Sequence, residues 1–271
     1  MEKTCKSELA DTEAIKKKFS NKFIGREIRY RPVIDSTNSF LMSSAADSFS
    51  DGTVLIAEKQ TAGRGRMQRK WYSPENCNLY FSLLLRPDIL PERAPQISLV
   101  AAYAVLAALS GLFPEVDFRI KWPNDILAGK KKLAGILCEM VYEAGKKPRI
   151  VIGTGLNVNL EPAKFPDAIK DVATSIFAET SHKQDRSLIL ARILEEFEKA
   201  YFAWLNNNTD LIIHLLNRKS SLTGKFVKVE QGGRLLAGKV TEINEQGELV
   251  LNGGNGLLIK VSSGEVHILK E

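Results

Sequence analysis

Cysteine and histidine are both scarce, with three of each in 271 residues. Cys5, Cys77 and Cys138 are odd in number and lack metal-ligand spacing, which argues against a disulfide framework or a thiolate metal centre. Two of them sit in apolar or strand-like surroundings, so the expectation is buried, reduced thiols in a cytoplasmic protein. His182, His214 and His267 lie far apart in the sequence, which speaks against a zinc site. No run reaches the roughly eighteen apolar residues that cross a bilayer. The longest apolar region, residues 97–109, is interrupted by Ser98 and Tyr103 and reads as a buried helix. The first residues carry charges throughout and lack a signal-peptide core. Internal repeats and low-complexity tracts are also missing. These absences predict a soluble chain with no membrane partner.

What is present is enough for a real core: 44% hydrophobic residues and 26% charged ones. The 38 basic residues exceed the 32 acidic ones, for a net charge of +6. That mild excess suits an anionic substrate at least as well as nucleic acid.

Alternation and turn residues predict strands near 27–33, 53–57, 79–85, 118–122, 126–128, 133–142 and 149–159. Helices are expected over 12–19, from Asp35-Ser36-Thr37-Asn38 to about residue 47, and over 91–109. In a further helix Leu190, Ile193, Leu194, Phe197, Tyr201 and Trp204 share one stripe, which reads as packing. A last helix follows from residue 210 to about 219. Helices inserted between hairpins predict a mixed or antiparallel α+β sheet rather than a doubly wound one. From Gly224 onward, short strands at 225–229, 234–243, 248–251, 257–261 and 265–269 alternate with glycine turns, suggesting a small five-stranded barrel. The expected division is residues 1–220 and 221–271.

The most informative stretch runs from Gln60 to Trp71. Gly63 and Gly65 alternate with Arg64 and Arg66, and Arg69 and Lys70 follow before Trp71. Glycines let a backbone approach a ligand closely, and arginines offer planar donor forks for carboxylate and phosphate. Like charges so close together repel, so the loop is expected to become ordered when an anion arrives. Four other segments accompany it: Ser36-Thr37-Asn38 at a helix start, Lys121-Trp122-Pro123-Asn124-Asp125 at a strand end, Lys132-Leu133-Ala134-Gly135, and Gly153-Thr154-Gly155-Leu156-Asn157. Taken singly, these have ordinary explanations: a helix cap, a turn, a solvated hairpin tip and a close-packed glycine pair.

In this order and spacing, the five segments resemble those of the biotin protein ligases. The resemblance runs from about residue 25 to the end of the chain and includes the small terminal barrel. It implies a class II synthetase-like catalytic domain over residues 1–220 and an SH3-like barrel over 221–271. It also implies a two-step reaction: biotin and ATP form biotinyl-5′-AMP and pyrophosphate, and the biotinyl group then passes to a lysine of a biotin carboxyl carrier domain. By motif match, Lys132 lies between the biotin carboxylate and the α-phosphate, Arg64 and Arg66 clamp both, and Arg69 and Lys70 reach the nucleotide phosphates. Ser36, Thr37, Asn38 and Gln60 hold the ureido ring, with Gly63 and Gly135 allowing close approach and Trp71 forming an apolar wall. Asn124 and Asn157 face the nucleotide and its Mg²⁺, which travels with ATP rather than in a protein ligand cluster.

The second step needs a neutral acceptor amine, and Asp125 is the expected proton acceptor. Lys132, Arg66 and Asp125 make up the expected catalytic set. Some family members carry an N-terminal DNA-binding domain; fewer than thirty residues precede the pattern here, so the expectation is an enzyme with no DNA partner. Oligomeric state stays open, a homodimer being one arrangement the family implies. Lipoyl- or octanoyl-protein ligases of the same superfamily are the nearest alternative. A basic nucleic-acid-binding module is a second one.

Overall fold

The computed structural model describes residues 7–142, 147–254 and 256–269; Cys5 lies outside them. Seven strands form the main sheet: β1 (Ile28–Ile34), β2 (Val54–Gln60), β3 (Leu79–Leu85), β4 (Phe118–Lys121), β5 (Asp125–Ala128), β6 (Lys131–Val141) and β7 (Arg149–Leu156). Their order is β1-β2-β3-β7-β6-β5-β4. Only β1 and β2 run parallel; every other neighbouring pair is antiparallel. The mixed α+β sheet expected from the pattern of elements is therefore found.

Helices α1 (Thr12–Lys16), α2 (Thr37–Met42), α3 (Ile97–Leu112), α4 (Ile176–Thr180), α5 (Arg186–Leu205) and α6 (Asp210–Arg218) complete this unit. Two differ from expectation for local reasons. Helix α2 stops at Met42, where the Ser43 hydroxyl donates to the Phe40 carbonyl at 2.7 Å and offers the backbone an alternative to another turn. Residues Pro91–Gln96 form a 3₁₀ segment, and α3 begins only at Ile97, because Pro95 has no amide hydrogen to give. The stretch Glu92–Leu112 is long and apolar enough to cross a bilayer by composition. The fold uses it as core, buried on most sides and packed against α5. The stripe on α5 is buried at every position named from the sequence.

Helix α6 ends at Arg218, and a second sheet follows. It consists of β8 (Phe226–Gln231), β9 (Arg234–Ile243), β10 (Leu249–Asn252), β11 (Leu258–Val261) and β12 (Glu265–Ile268). The order is β11-β10-β9-β8-β12, antiparallel throughout. The five strands expected for the small terminal barrel are all present, with β11 and β12 at the two ends of the ladder. Val227, Val229, Val240 and Leu249 share one apolar core with the main sheet and α3. Four side chains of the first unit also donate to carbonyls of the second: Asn217 to Ile243, Gln96 to Glu245, Trp122 to Gly247 and Arg66 to Gly264.

The topology gathers chemistry at the end of the main sheet where β2 finishes at Gln60 and β6 begins at Lys131, and the β4–β5 turn, from Lys121 to Asp125, reaches the same space from the opposite direction. Register then sets Asp125 beside Gly135 and Gly135 beside Gly155. Residues far apart in sequence thus face one space. Away from it, the free thiols of Cys77 and Cys138 are partly rather than fully buried, and burial pushes Cys77 up to about 11.

Candidate active site

A cavity of about 260 Å³ lies at this end of the sheet. Of the residues expected from the sequence, Ser36, Thr37, Asn38, Gln60, Arg64, Arg66, Arg69, Lys70, Trp71, Asn124, Asp125, Lys132, Gly135 and Asn157 line it. Lys132 thus shares one cavity with Arg64 and Arg66. Gly63 is the exception. A β-carbon there would meet Ser73 Oγ and the Trp71 carbonyl, each at 2.7 Å, so Gly63 makes room for protein atoms instead of ligand.

The basic loop folds on itself. Gly65 N–H donates to the Arg69 carbonyl at 2.7 Å, Trp71 N–H donates to the Gly63 carbonyl at 2.9 Å, and Arg64 pairs with Lys70 across the hairpin. Met67 and Gln68 at its tip take left-handed conformations. Protein carboxylates offset its charge: Glu139 Oε2 lies 2.5 Å from Arg64 Nη2, and Glu265 pairs with Arg69. Burial lowers the Arg66 pKa, opposed by the charges of Asp125 and Glu265. Arg66 also donates to Asn124 Oδ1 at 3.0 Å and to the Gly264 carbonyl at 3.2 Å.

Lys132 is placed by its backbone. Between Ile126 and Leu127 the β5–β6 register slips, leaving an extra residue in β6, and such bulges re-aim side chains. The Lys132 amide then donates to the Val172 carbonyl at 2.8 Å, and its carbonyl accepts from Thr174 N at 2.9 Å. Its ammonium sits 2.7 Å from Asp125 Oδ1, as an ion pair without an aligned hydrogen bond, and 5.4 Å from the Trp71 ring centre. A β-carbon at Gly135 would come within 3.0 Å of Trp71 and 3.4 Å of Lys132 Nζ, so this glycine shapes the wall and the cation. Gly155 lies directly under the Trp71 indole.

Around Ser36, Thr37, Asn38 and Gln60 the cavity wall carries neutral polar groups. The Thr37 amide donates to Gln60 Oε1 at 2.9 Å, and Gln60 Nε2 donates to Ser73 Oγ at 3.1 Å. Asn38 Nδ2 donates to the Leu137 carbonyl and to Glu139 Oε2. Asn157 lines the cavity with its amide already engaged. Its Nδ2 donates to the Thr174 carbonyl and its Oδ1 accepts from Asn78, so both ends of the amide tie the wall together. Asn124 is engaged likewise, orienting Arg66 with its oxygen while its nitrogen donates to the Ile136 carbonyl.

Sequence reasoning missed several lining or supporting residues. Phe165, Ile169, Val172 and Ala173 add an apolar wall beside Lys132, and Gly264, Glu265 and Val266 come from the second sheet. Ser82 had a visible signal, as a polar interruption in an otherwise apolar strand. Lys121, quoted as part of its motif but given no role, also lines the cavity.

Chemically, this is a socket with neutral polar groups continuous with a cluster of cations. It suits a neutral ring carrying a carboxylate tail, together with a polyphosphate. Comparison with known proteins agrees. The model of the biotin/lipoate A/B protein ligase family matches residues 30–157, and that of the biotin protein ligase C-terminal domain matches residues 223–269. The bifunctional ligase/repressor BirA of Bacillus subtilis is 36% identical over 245 residues, covering 90% of this chain and 75% of its own length. A biotin–[acetyl-CoA-carboxylase] ligase of Mycobacterium tuberculosis is 39% identical over 241 residues, 87% of this chain and 86% of its own. Among solved structures, the Aquifex aeolicus biotin protein ligase in complex with biotin and ATP superposes with a TM-score of 0.78 at 30% identity, over 91% of this chain and all of that one. The motifs, the two-sheet fold and these likenesses converge: the chain belongs to the biotin protein ligase family.

Proposed function

We propose that this protein is an ATP-dependent biotin protein ligase that makes biotinyl-5′-AMP and transfers the biotinyl group to a carrier-domain lysine. The observation that carries the proposal is the shared cavity in which Thr37, Asn38 and Gln60 meet Lys132, Arg64 and Arg66. A carboxylate approaching a triphosphate is repelled, and fixed cations offset that repulsion without reorganising during the step. Lys132, held by Asp125 and by its own backbone, lies where the carboxylate oxygen would attack the α-phosphorus. Arg64 and Arg66 hold the flanking oxygens, and pyrophosphate leaves toward Arg69 and Lys70. Mg²⁺ enters as part of the nucleotide substrate. Among the described residues, no three histidine, cysteine or carboxylate side chains gather to hold a resident metal.

In the second step, the acceptor amine attacks the acyl carbon of the mixed anhydride and AMP departs. The amine must first lose a proton, since a free lysine titrates near 10.4. Asp125 stands beside the reacting region, and its ion pair with Lys132 gives it a positioning role as well. The acceptor is a biotin carboxyl carrier domain; the Mycobacterium relative is named for acetyl-CoA carboxylase.

Two features favour biotin over lipoate or octanoate: the neutral hydrogen-bonding socket, and the match of residues 223–269 to a domain described for biotin ligases. The nucleic-acid reading has less support, because Arg64, Arg66, Arg69 and Lys70 line a cavity rather than an open face. Incubating the protein with MgATP and each acid in turn, followed by mass spectrometry, tests the proposal. Biotinyl-adenylate is expected, and transfer to carrier domain on its addition. Preferential formation of lipoyl- or octanoyl-adenylate would overturn it.

A further inference from the structure

Ser82 lies in the middle of β3, fully buried, and it is not part of the cavity wall. In register it stands opposite Gly153 of β7. A β-carbon on Gly153 would occupy the space taken by the Asn38 amide. The pair therefore forms a socket beneath α2. Ser82 Oγ is 2.6 Å from Asn38 Oδ1 and 2.7 Å from Thr37 Oγ1. A hydroxyl has one proton, so Ser82 can donate along only one of these contacts.

The surrounding groups decide which. Asn38 Nδ2 lies 3.0 Å from the Leu137 carbonyl and 2.9 Å from Glu139 Oε2. The carbonyl can only accept, which fixes the amide nitrogen on that side and leaves Oδ1 facing Ser82. Asn38 Oδ1 needs a donor, and Ser82 is the donor. The 2.7 Å contact with Thr37 must then use the threonine proton. Gln60 is fixed in the same way: the Ser73 hydroxyl donates to the Trp71 carbonyl at 3.1 Å, so Ser73 Oγ receives Gln60 Nε2, and Gln60 Oε1 receives the Thr37 amide at 2.9 Å. Gln60 Oε1 is 3.2 Å from Thr37 Oγ1 and has no proton to offer it. With its own proton committed to Ser82, Thr37 Oγ1 keeps its lone pairs for the cavity that Thr37 lines.

We propose that Ser82 is a positioning residue that fixes the hydrogen-bond polarity of the socket, making Thr37 an acceptor and selecting ring ligands that present an N–H group. This inference rests on the biotin reading and deepens it, because a ureido ring presents N–H donors whereas a dithiolane ring or an alkyl chain has none. Without the Ser82 oxygen, the threonine proton is released to turn toward Gln60 or into the cavity. Asn38 Oδ1 loses its donor at the same time.

The test compares biotin with its two ring-N-methyl derivatives, each lacking one N–H, in adenylate formation by wild type and Ser82→Ala. Wild type should discriminate against at least one derivative by ten- to a hundredfold in KM, within the range of a lost buried hydrogen bond. In Ser82→Ala the biotin KM should rise by on the order of tenfold, kcat should change little, and discrimination should fall by a similar factor. Ser82→Cys keeps the side-chain connectivity with a slightly larger atom that is a weaker donor and acceptor, and serves the same comparison if the alanine variant does not fold. A folded variant whose discrimination equals that of wild type overturns the inference, since a merely structural serine would affect all three ligands alike. Failure of wild type to activate biotin at all would strike the functional reading instead.

Discussion

Replacing Lys132 by glutamine keeps most of the side-chain length and removes the charge. A unit charge about 4 Å from a reacting oxygen contributes about 4 kcal/mol at the effective dielectric of a partly solvated site. The Lys132 side chain is 37% exposed, so screening reduces this to roughly 2–3 kcal/mol. At about 1.4 kcal/mol per tenfold, biotinyl-adenylate formation should slow by about 30- to 200-fold. Loss of a preorganised donor at developing charge falls in the same range. Folding should be nearly unaffected: Asp125 loses a partner, but the pair is reachable by water and stabilises by under about 1 kcal/mol. Quenched-flow measurement of adenylate with saturating biotin and MgATP reads the first quantity, and denaturant unfolding reads the second. A rate loss of less than fivefold would refute the idea that this ammonium neutralises the attack. So would a loss of rate matched by a loss of stability.

Other perturbations reach different parts of the molecule. Gly153→Ala should displace the Asn38 amide from its socket, destabilising by about 2–4 kcal/mol from overpacking and lost hydrogen bonds; chemical denaturation measures it, together with a raised biotin KM. Asp125→Asn should slow both half-reactions, since Lys132 loses its partner, and should slow transfer to the carrier more than adenylate formation; equal losses in single-turnover assays would remove the proton-acceptor role. Arg186, 2% exposed and bonded to Glu58 and Glu8, should tolerate replacement badly: Arg186→Met leaves Glu58 buried and uncompensated, at about 3–5 kcal/mol by urea melting. The same cluster gives an acid dependence. Hydrogen bonding from Arg186 holds Glu8 below its ordinary value of 4.5, so its contribution is present above that pH and lost as pH falls; Glu8→Gln should flatten the stability curve below pH 5.

Local pattern carried much of the fold. Strand β3 matches its expected bounds because a run of seven buried, largely apolar residues ends at turn chemistry on both sides. The α5 stripe was legible because one helix face is buried along its length. The short α4 and the wall from Phe165 to Ala173 were not legible, because their order comes from distant contacts such as the Lys132 bridge to Ala173. The cavity shows the same division. Cations and glycines stand out as types, whereas the paired carboxylates Glu139 and Glu265 become visible only once β6 and β12 are beside the loop. At Gly63 the residue type signals close approach, but the approaching partners, the Trp71 carbonyl and the Ser73 hydroxyl, are named only by the fold.

The second sheet meets the first through the carbonyls of Ile243, Glu245, Gly247 and Gly264. A main-chain oxygen is the same whatever side chain its residue bears, so the attachments at Ile243 and Glu245 do not themselves read the side chains there. Gly247 and Gly264 differ: both have positive φ, and a β-carbon would meet Leu99 at the first and the Glu230 carbonyl at the second. The junction should therefore tolerate change at exposed Glu245 while its two glycines and the donors Asn217, Gln96, Trp122 and Arg66 stay fixed.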